Sequence, residues 1–137
     1  MLSCILEISA QYQVTVIGAT NDVVNLRCVG YGKKASKAYN DAELSAIRTI
    51  LFVGTKGTQH SMPLINEDKS IVENKFQSFF STFYNEGYKS FLESSIIVVP
   101  FGKNSLKQRC ITLDVCIRIS QLREYLENNG IIRRFGL

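Results

Sequence analysis

An α+β fold is what this sequence predicts, with elements in the order β-β-α-α-β-β-α and a mostly antiparallel four-stranded sheet carrying helices packed on one face. Three observations predict it. Ala35, Ala38, Ala42 and Ala46 fall three or four residues apart, the spacing of one helix face. Val72, Phe76, Phe79, Phe80 and Phe83 repeat at the same helical spacing, and hold four of the eight phenylalanines. Between residues 106 and 119, Ile111, Leu113, Val115, Ile117 and Ile119 alternate with Cys110, Thr112, Asp114, Cys116 and Arg118. That period of two belongs to a strand with one buried face and one more polar face.

The elements follow in order. Residues 12–17 are valine-rich and alternate in part, which predicts a strand. Residues 18–22 are a turn cluster, and residues 23–31 form the partner strand of a hairpin. Gly32 marks the exit into the alanine-striped helix, residues 33–53, which continues through Ile47, Ile50, Leu51 and Phe52 and stops at Gly54. Small residues on one stripe let a helix backbone lie close to the sheet it covers. Gly54, Gly57 and Pro63 mark an irregular connection.

The phenylalanine helix begins between Asn66 and Ser70. Ser70 with Glu73 would make a capping box, Asn66 or Asp68 are the alternative cap candidates, and Gly87 is the expected stop. Its aromatic stripe is a core signature rather than a ligand box. Residues 95–101 contain Ile96, Ile97, Val98 and Val99, a continuous apolar strand. Residues 102–105 are a turn into the alternating strand. Ser120 is placed to cap a last helix carrying Leu122, Tyr125 and Leu126, which Asn129-Gly130 ends. The alanine and phenylalanine stripes are expected to cover the apolar strand faces.

A chain of 137 residues is one domain by size and buries roughly 68–70% of its unfolded surface, enough for a core without disulfides or metal. The domain is read as residues 12–137. Hydrophobic and charged contents of 45% and 20% are those of an ordinary globular protein. The net charge of +4 is spread out, apart from Lys33, Lys34 and Lys37 and the pair Arg133-Arg134. A dedicated nucleic-acid binder carries a denser basic stripe, so nucleic acid is not the expected partner. No stretch of ~20 apolar residues is present, so no transmembrane segment is expected.

Residues 1–11 are a separate matter. Met1-Leu2-Ser3-Cys4-Ile5-Leu6 is short and apolar, and Ile8-Ser9-Ala10-Gln11 resembles the end of a signal peptide. The basic region and longer apolar stretch of a full signal are missing, and Glu7 intrudes. The segment reads as a signal-peptide remnant, a disordered arm or an extra edge strand; Met1-Leu2-Ser3-Cys4 also resembles a lipoprotein cleavage box. The remnant predicts a periplasmic or outer-membrane-associated protein. A complete N-terminus predicts a cytoplasmic one.

Catalytic chemistry finds little purchase. His60 is the one histidine and sits in the irregular connection beside Thr58, Gln59 and Ser61. No G-x-S-x-G, H-E-x-x-H or paired-carboxylate spacing occurs, and no C-x-x-C. No catalytic residue, metal site or cofactor is expected. Cys110 and Cys116 lie six residues apart on one strand, too far to bridge each other. Cys28 could pair with one of them only in an adjacent strand of the right register; the simpler reading is that all are reduced. An enzyme using Cys28, Cys110 or Cys116 with His60 is the remotest of the functions weighed.

Gly30-Tyr31-Gly32-Lys33-Lys34 at a strand-to-helix junction invites an anion-binding reading, because helix N-termini attract anions. It departs from the P-loop pattern, and the third glycine of a dinucleotide fingerprint falls at Ala35. Gly30, Gly32 and Lys33 are the contacts such a module would use. The other reading of the glycines is a sharp turn of the strand beneath the helix.

Residues Gly30-Tyr31-Gly32, the alanines at 35, 38, 42 and 46, Leu51-Phe52-Val53-Gly54 and Pro63-Leu64 resemble a group of exported bacterial proteins common in the Bacteroidetes. The closing run is similar too: residues 115–119, Leu122-Arg123, Leu126-Glu127 and Gly130 through Gly136. The Gly-x-Gly strand end with its alanine-spaced helix is also similar to the N-terminal domain of the periplasmic flagellar-assembly T protein and to small outer-membrane lipoproteins. The resemblance implies a structural or assembly part of the envelope and supplies no catalytic residues.

The expected function is therefore a non-enzymatic envelope domain acting by contact with a protein partner or another copy of itself. The free edges of the sheet are its expected contact surface. Thr112, Asp114 and Arg118 on the polar strand face, and Arg133, Arg134 and Phe135 in the tail, are further candidates. The alternative is the small anion- or nucleotide-binding module.

Overall fold

A computed structural model describes residues 13–133. Residues 1–11, Arg134 and Phe135 lie outside the described residues. Four antiparallel strands form one sheet: β1 (Val14–Ala19), β2 (Val24–Tyr31), β3 (Leu92–Lys103) and β4 (Arg109–Ile117). Their spatial order is β1-β2-β4-β3, so two hairpins lie side by side, joined by β2 against β4. The described helices are α1 (Ala35–Phe52), α2 (Lys69–Lys75), α3 (Gln77–Asn85), a 3₁₀ turn (Gly87–Phe91) and α4 (Ile119–Asn128).

The alternation in β4 holds through Ile117, though Cys116 on the more polar side is buried as well and Ile119 opens α4 instead of extending the strand. Ile111, Leu113, Val115 and Ile117 are buried, as are Val24, Leu26 and Cys28 on the same side of β2. The alanine stripe lies directly over them: Ala38, Ala42 and Ala46 are fully buried. The approach is close enough to require Gly30, where a Cβ would stand 2.0 Å from the Ala38 carbonyl oxygen and 2.4 Å from the Ala42 nitrogen. Gly32 makes the same closeness possible one step later, 2.7 Å from the Ala38 nitrogen. α1 ends on Gly54, whose φ of +87° suits glycine.

The phenylalanine segment is two helices rather than one. Phe76 has φ −114° and ψ 46°, which ends α2 and starts α3. The rings of α3 pack among themselves and onto Phe52 of α1, Phe91 of the 3₁₀ turn and Tyr125 of α4. Phe80, Phe83 and Phe91 belong to the same core cluster as the α1 alanines and the apolar face of the sheet.

One cap differs from expectation, and at α2 one of the expected candidates is selected. Arg118, not Ser120, is the N-cap of α4, and the Ser120 hydroxyl lies 3.3 Å from Asp22 Oδ1 in the β1–β2 turn. At α2 the N-cap is Asp68, whose carboxylate accepts from the Ser70 hydroxyl at 2.5 Å. Glu73 instead pairs with Lys69 at 3.1 Å and accepts from the Tyr84 hydroxyl, tying α2 to α3.

The larger difference is at β3. Leu92 and Phe101 at its ends pack against the core, but the apolar run between them is not covered. Ile96 is 61% exposed, Ile97 53%, Val98 39% and Val99 53%. α1 sits over β2 and β4 and touches β3 at Ser95, while the run from Ile96 to Val99 stands uncovered at the sheet edge.

Candidate interaction surface

β3 bonds β4 on one side, and among the described residues no strand pairs its other side. Its apolar run is exposed to both sides. Ile97 stands opposite Leu113, on the side of the sheet that carries the helices; Ile96 and Val99 stand opposite Asp114 and Thr112, on the open side. The register shifts between Leu92 and Ser94, between Ile97 and Val99, and between Val99 and Gly102, and the last interval contains Pro100. Bulges and proline are devices that discourage indiscriminate edge pairing. They flank the apolar run without hiding it.

The open face of the sheet is more polar and largely satisfied within itself. Arg27 and Asp114 stand opposite each other and form a two-point ion pair, Nε to Oδ1 at 2.8 Å and Nη2 to Oδ2 at 3.0 Å. Thr112 is half-buried beside it on the same face. Arg118, just beyond β4, donates to the Ser90 carbonyl at 3.3 Å and lies 3.9 Å from Glu93. Of the tail candidates only Arg133 is described; it lines a cleft of about 580 Å³ together with Met62, Ile131 and Ile132.

The N-terminal side of α1 holds a second feature. Tyr31, Gly32, Lys33, Lys107, Gln108 and Arg109 line an open cleft of about 560 Å³. Lys33 is joined there by two cations from the β3–β4 turn and the start of β4. Gly30 does not take part, being pressed against α1. The Arg109 guanidinium donates to the Lys33 carbonyl at 3.3 Å, and the Arg109 carbonyl accepts from Gly32 N–H at 3.2 Å.

The nucleophile candidates are housed differently. Cys28 is buried, and burial, with the Asp114 carboxylate second, pushes its thiol well above the ordinary range. Cys116 is raised as well, by burial and by Glu93. Neither is poised as a thiolate. Cys28, Cys110 and Cys116 are free thiols: Cys28 faces α1, whereas Cys110 and Cys116 lie on the open side. The His60 ring bonds the Thr20 carbonyl at 2.6 Å and braces the irregular connection against the β1–β2 turn.

One buried carboxylate stands out. Glu43 of α1 is 4% exposed and accepts from Ser95 Oγ at 2.7 Å, from Tyr88 OH at 3.4 Å and from Lys89 Nζ at 3.4 Å. It links α1, the 3₁₀ turn and β3, and so holds the inner margin of the edge strand. Among the described residues no group of His, Cys, Asp and Glu could hold a metal, and no helix is long and apolar enough to cross a membrane.

Sequence reasoning named the sheet edges but not the residues on them. The run from Ile96 to Val99 was legible as a strand; its exposure depended on strand order. Lys107 and Arg109 were missed because they meet Lys33 only through the β2–β4 pairing. No protein-family model matches the chain, and no curated protein or solved structure is significantly similar to it.

Proposed function

We propose that this protein is a structural or assembly domain of the bacterial envelope that works through protein–protein contact, with the β3 edge as its principal contact surface. The observation that carries the reading is the exposure of Ile96, Ile97, Val98 and Val99 on a strand that is the outermost of the sheet among the described residues. An apolar run of this kind is characteristic of a strand buried on both faces, and here it stands at the rim. The envelope assignment draws on the resemblance of the Gly30-Tyr31-Gly32 strand end and its alanine-spaced helix to envelope domains. Thr112 and Arg118 flank the surface on the open side.

The test is photo-crosslinking in the native cell from a reactive residue placed at Val98. A discrete protein adduct from Val98, absent from the exposed α4 position Gln121, supports the reading. Equal background from both positions refutes it. Fractionation of the same cells, with the mature N-terminus read by mass spectrometry, tests the compartment: a cytoplasmic chain retaining Met1 refutes the envelope assignment.

A second reading is favoured by one observation, the convergence of Lys33, Lys107 and Arg109 on the cleft before α1. In this reading the cleft holds a small anion such as phosphate. Phosphate should raise the melting temperature relative to chloride at equal ionic strength, and Arg109→Ala should abolish the shift. No shift in the native protein contradicts the reading.

A further inference from the structure

We propose that the end of the sheet at the β3–β4 turn docks on an anionic lipid bilayer, with Leu106 as an apolar wedge and six cations as its electrostatic footing. The inference rests on the anion reading of the cleft before α1 and widens it from one small ion to a surface of headgroups. It is independent of the apolar run on β3.

Six cations meet at this end. Lys33, Lys107 and Arg109 line the cleft. Lys103 stands opposite Arg109 across the β3–β4 ladder. Lys34 is the N-cap of α1, and Lys37 follows in its first turn, with its Cβ 2.9 Å from the place a Gly32 Cβ would take. All six are exposed, and among the described residues none of them is in an ion pair. Residues 28–40 and 94–113, the two stretches that supply them, contain no Asp or Glu. The chain has 16 lysines and arginines against 12 acids; with these six set aside the balance is ten against twelve. The positive charge of the molecule is therefore concentrated here. Cations gathered this closely repel one another in the free protein, and a plane of phosphates relieves all of them at once.

The tip adds an apolar group. Leu106 is 75% exposed, more than any other large hydrophobic side chain among the described residues. The turn that carries it is held by its own hydrogen bonds. Asn104 Oδ1 accepts from the Leu106 and Gln108 N–H groups, each at 2.9 Å, and the Lys107 N–H donates to the Asn104 carbonyl at 2.9 Å. A turn fixed in this way has little left to order on binding. A leucine between Lys103 and Lys107 at such a tip suits a bilayer boundary, where the apolar side chain enters the acyl region and the ammonium groups stay at the level of the phosphates. A nucleic acid matches the charge but offers Leu106 nothing, and Tyr31 is the single aromatic ring lining the cleft on which a base could stack.

Co-sedimentation of the full chain with lipid vesicles tests this. The protein is expected to bind vesicles of equal parts phosphatidylcholine and phosphatidylglycerol about a hundredfold more tightly than pure phosphatidylcholine, and less tightly as salt is raised. Lys107→Glu should weaken binding about tenfold. Lys56→Glu makes the same change of net charge at an exposed site in the connection that His60 ties to the β1–β2 turn, and should leave binding unchanged. Leu106→Ser should weaken vesicle binding about tenfold while leaving a phosphate-induced melting shift intact, since Leu106 does not line the cleft. If Lys107→Glu does not fold, Lys33→Glu should weaken binding in the same direction. Equal binding to both kinds of vesicle, equal weakening by Lys56→Glu and Lys107→Glu, or binding indifferent to Leu106→Ser overturns the proposal. Binding of a single-stranded oligonucleotide in place of the vesicles overturns it as well. A phosphate-induced melting shift without vesicle binding overturns the membrane surface and leaves the small-anion reading standing. The absence of both removes both.

Discussion

Gly30 shows how one missing side chain sets the geometry of the whole helix–sheet interface. Its place on β2 lies under Ala38 and Ala42, and no atom beyond Cα fits there. Gly30→Ala should cost about 3 kcal/mol or more in urea unfolding, because the helix must lift off the sheet to admit a methyl group. Gly18→Ala, with nothing within 4 Å of the added carbon, is the control and should change stability by no more than about 0.5 kcal/mol. A loss below about 1 kcal/mol at Gly30 would contradict the close approach. Cys28, beside Gly30 in the same core, makes stability sensitive to alkali. Its folded thiol is raised above the unfolded value of about 8.5, so its contribution is complete below that pH and is lost as pH rises. Cys116 acts in the same direction. Stability should therefore fall as pH rises from about 8 to about 10, and Cys28→Ala should flatten the fall. Tyr84, raised by burial and by its bond to Glu73, adds a loss only above about pH 10, which Tyr84→Phe should remove. A decline unchanged by Cys28→Ala would show that the alkaline loss arises elsewhere.

Elements differed in how much of their placement could be read from sequence. β4 and α1 were legible because each carries a one-sided pattern, period two in β4 and period 3.6 in α1, and each buries the side its pattern marks. The phenylalanine segment was legible as helical but not as two helices, since nothing in the residues around Phe76 is a glycine or proline to mark the break. β3 was legible as a strand and misleading as to cover. Its pattern fits an interior strand, and only the order β1-β2-β4-β3 puts it on the rim. The basic cleft was half legible: Lys33 stood in a recognisable junction, while Lys107 and Arg109 arrive from far along the chain. Glu43 was not singled out, since nothing in the sequence separates it from the other charges of the helix, yet it fastens α1 to the 3₁₀ turn and to β3. Glu43→Leu should cost about 2–4 kcal/mol, because the Ser95 and Tyr88 hydroxyls lose their acceptor. Adding Ser95→Ala should recover part of that loss, and strict additivity of the two changes would refute their coupling.

At the scale of the molecule, the helices cover β2 and β4 and leave the hairpin of β3 partly outside the core. Within one copy, the buried core and the exposed apolar run therefore coexist on the same sheet. Fully burying a valine or isoleucine side chain is worth about 1.5–3 kcal/mol, so four half-exposed ones retain a substantial drive toward association. The bulges and Pro100 limit which associations satisfy that drive. The most direct measurement is the native size of the protein in extracts of its own cells, compared with that of folded Val98→Lys. The account predicts that the native chain travels as a complex larger than a monomer and that Val98→Lys travels as a monomer. Equal sizes for the two would contradict it.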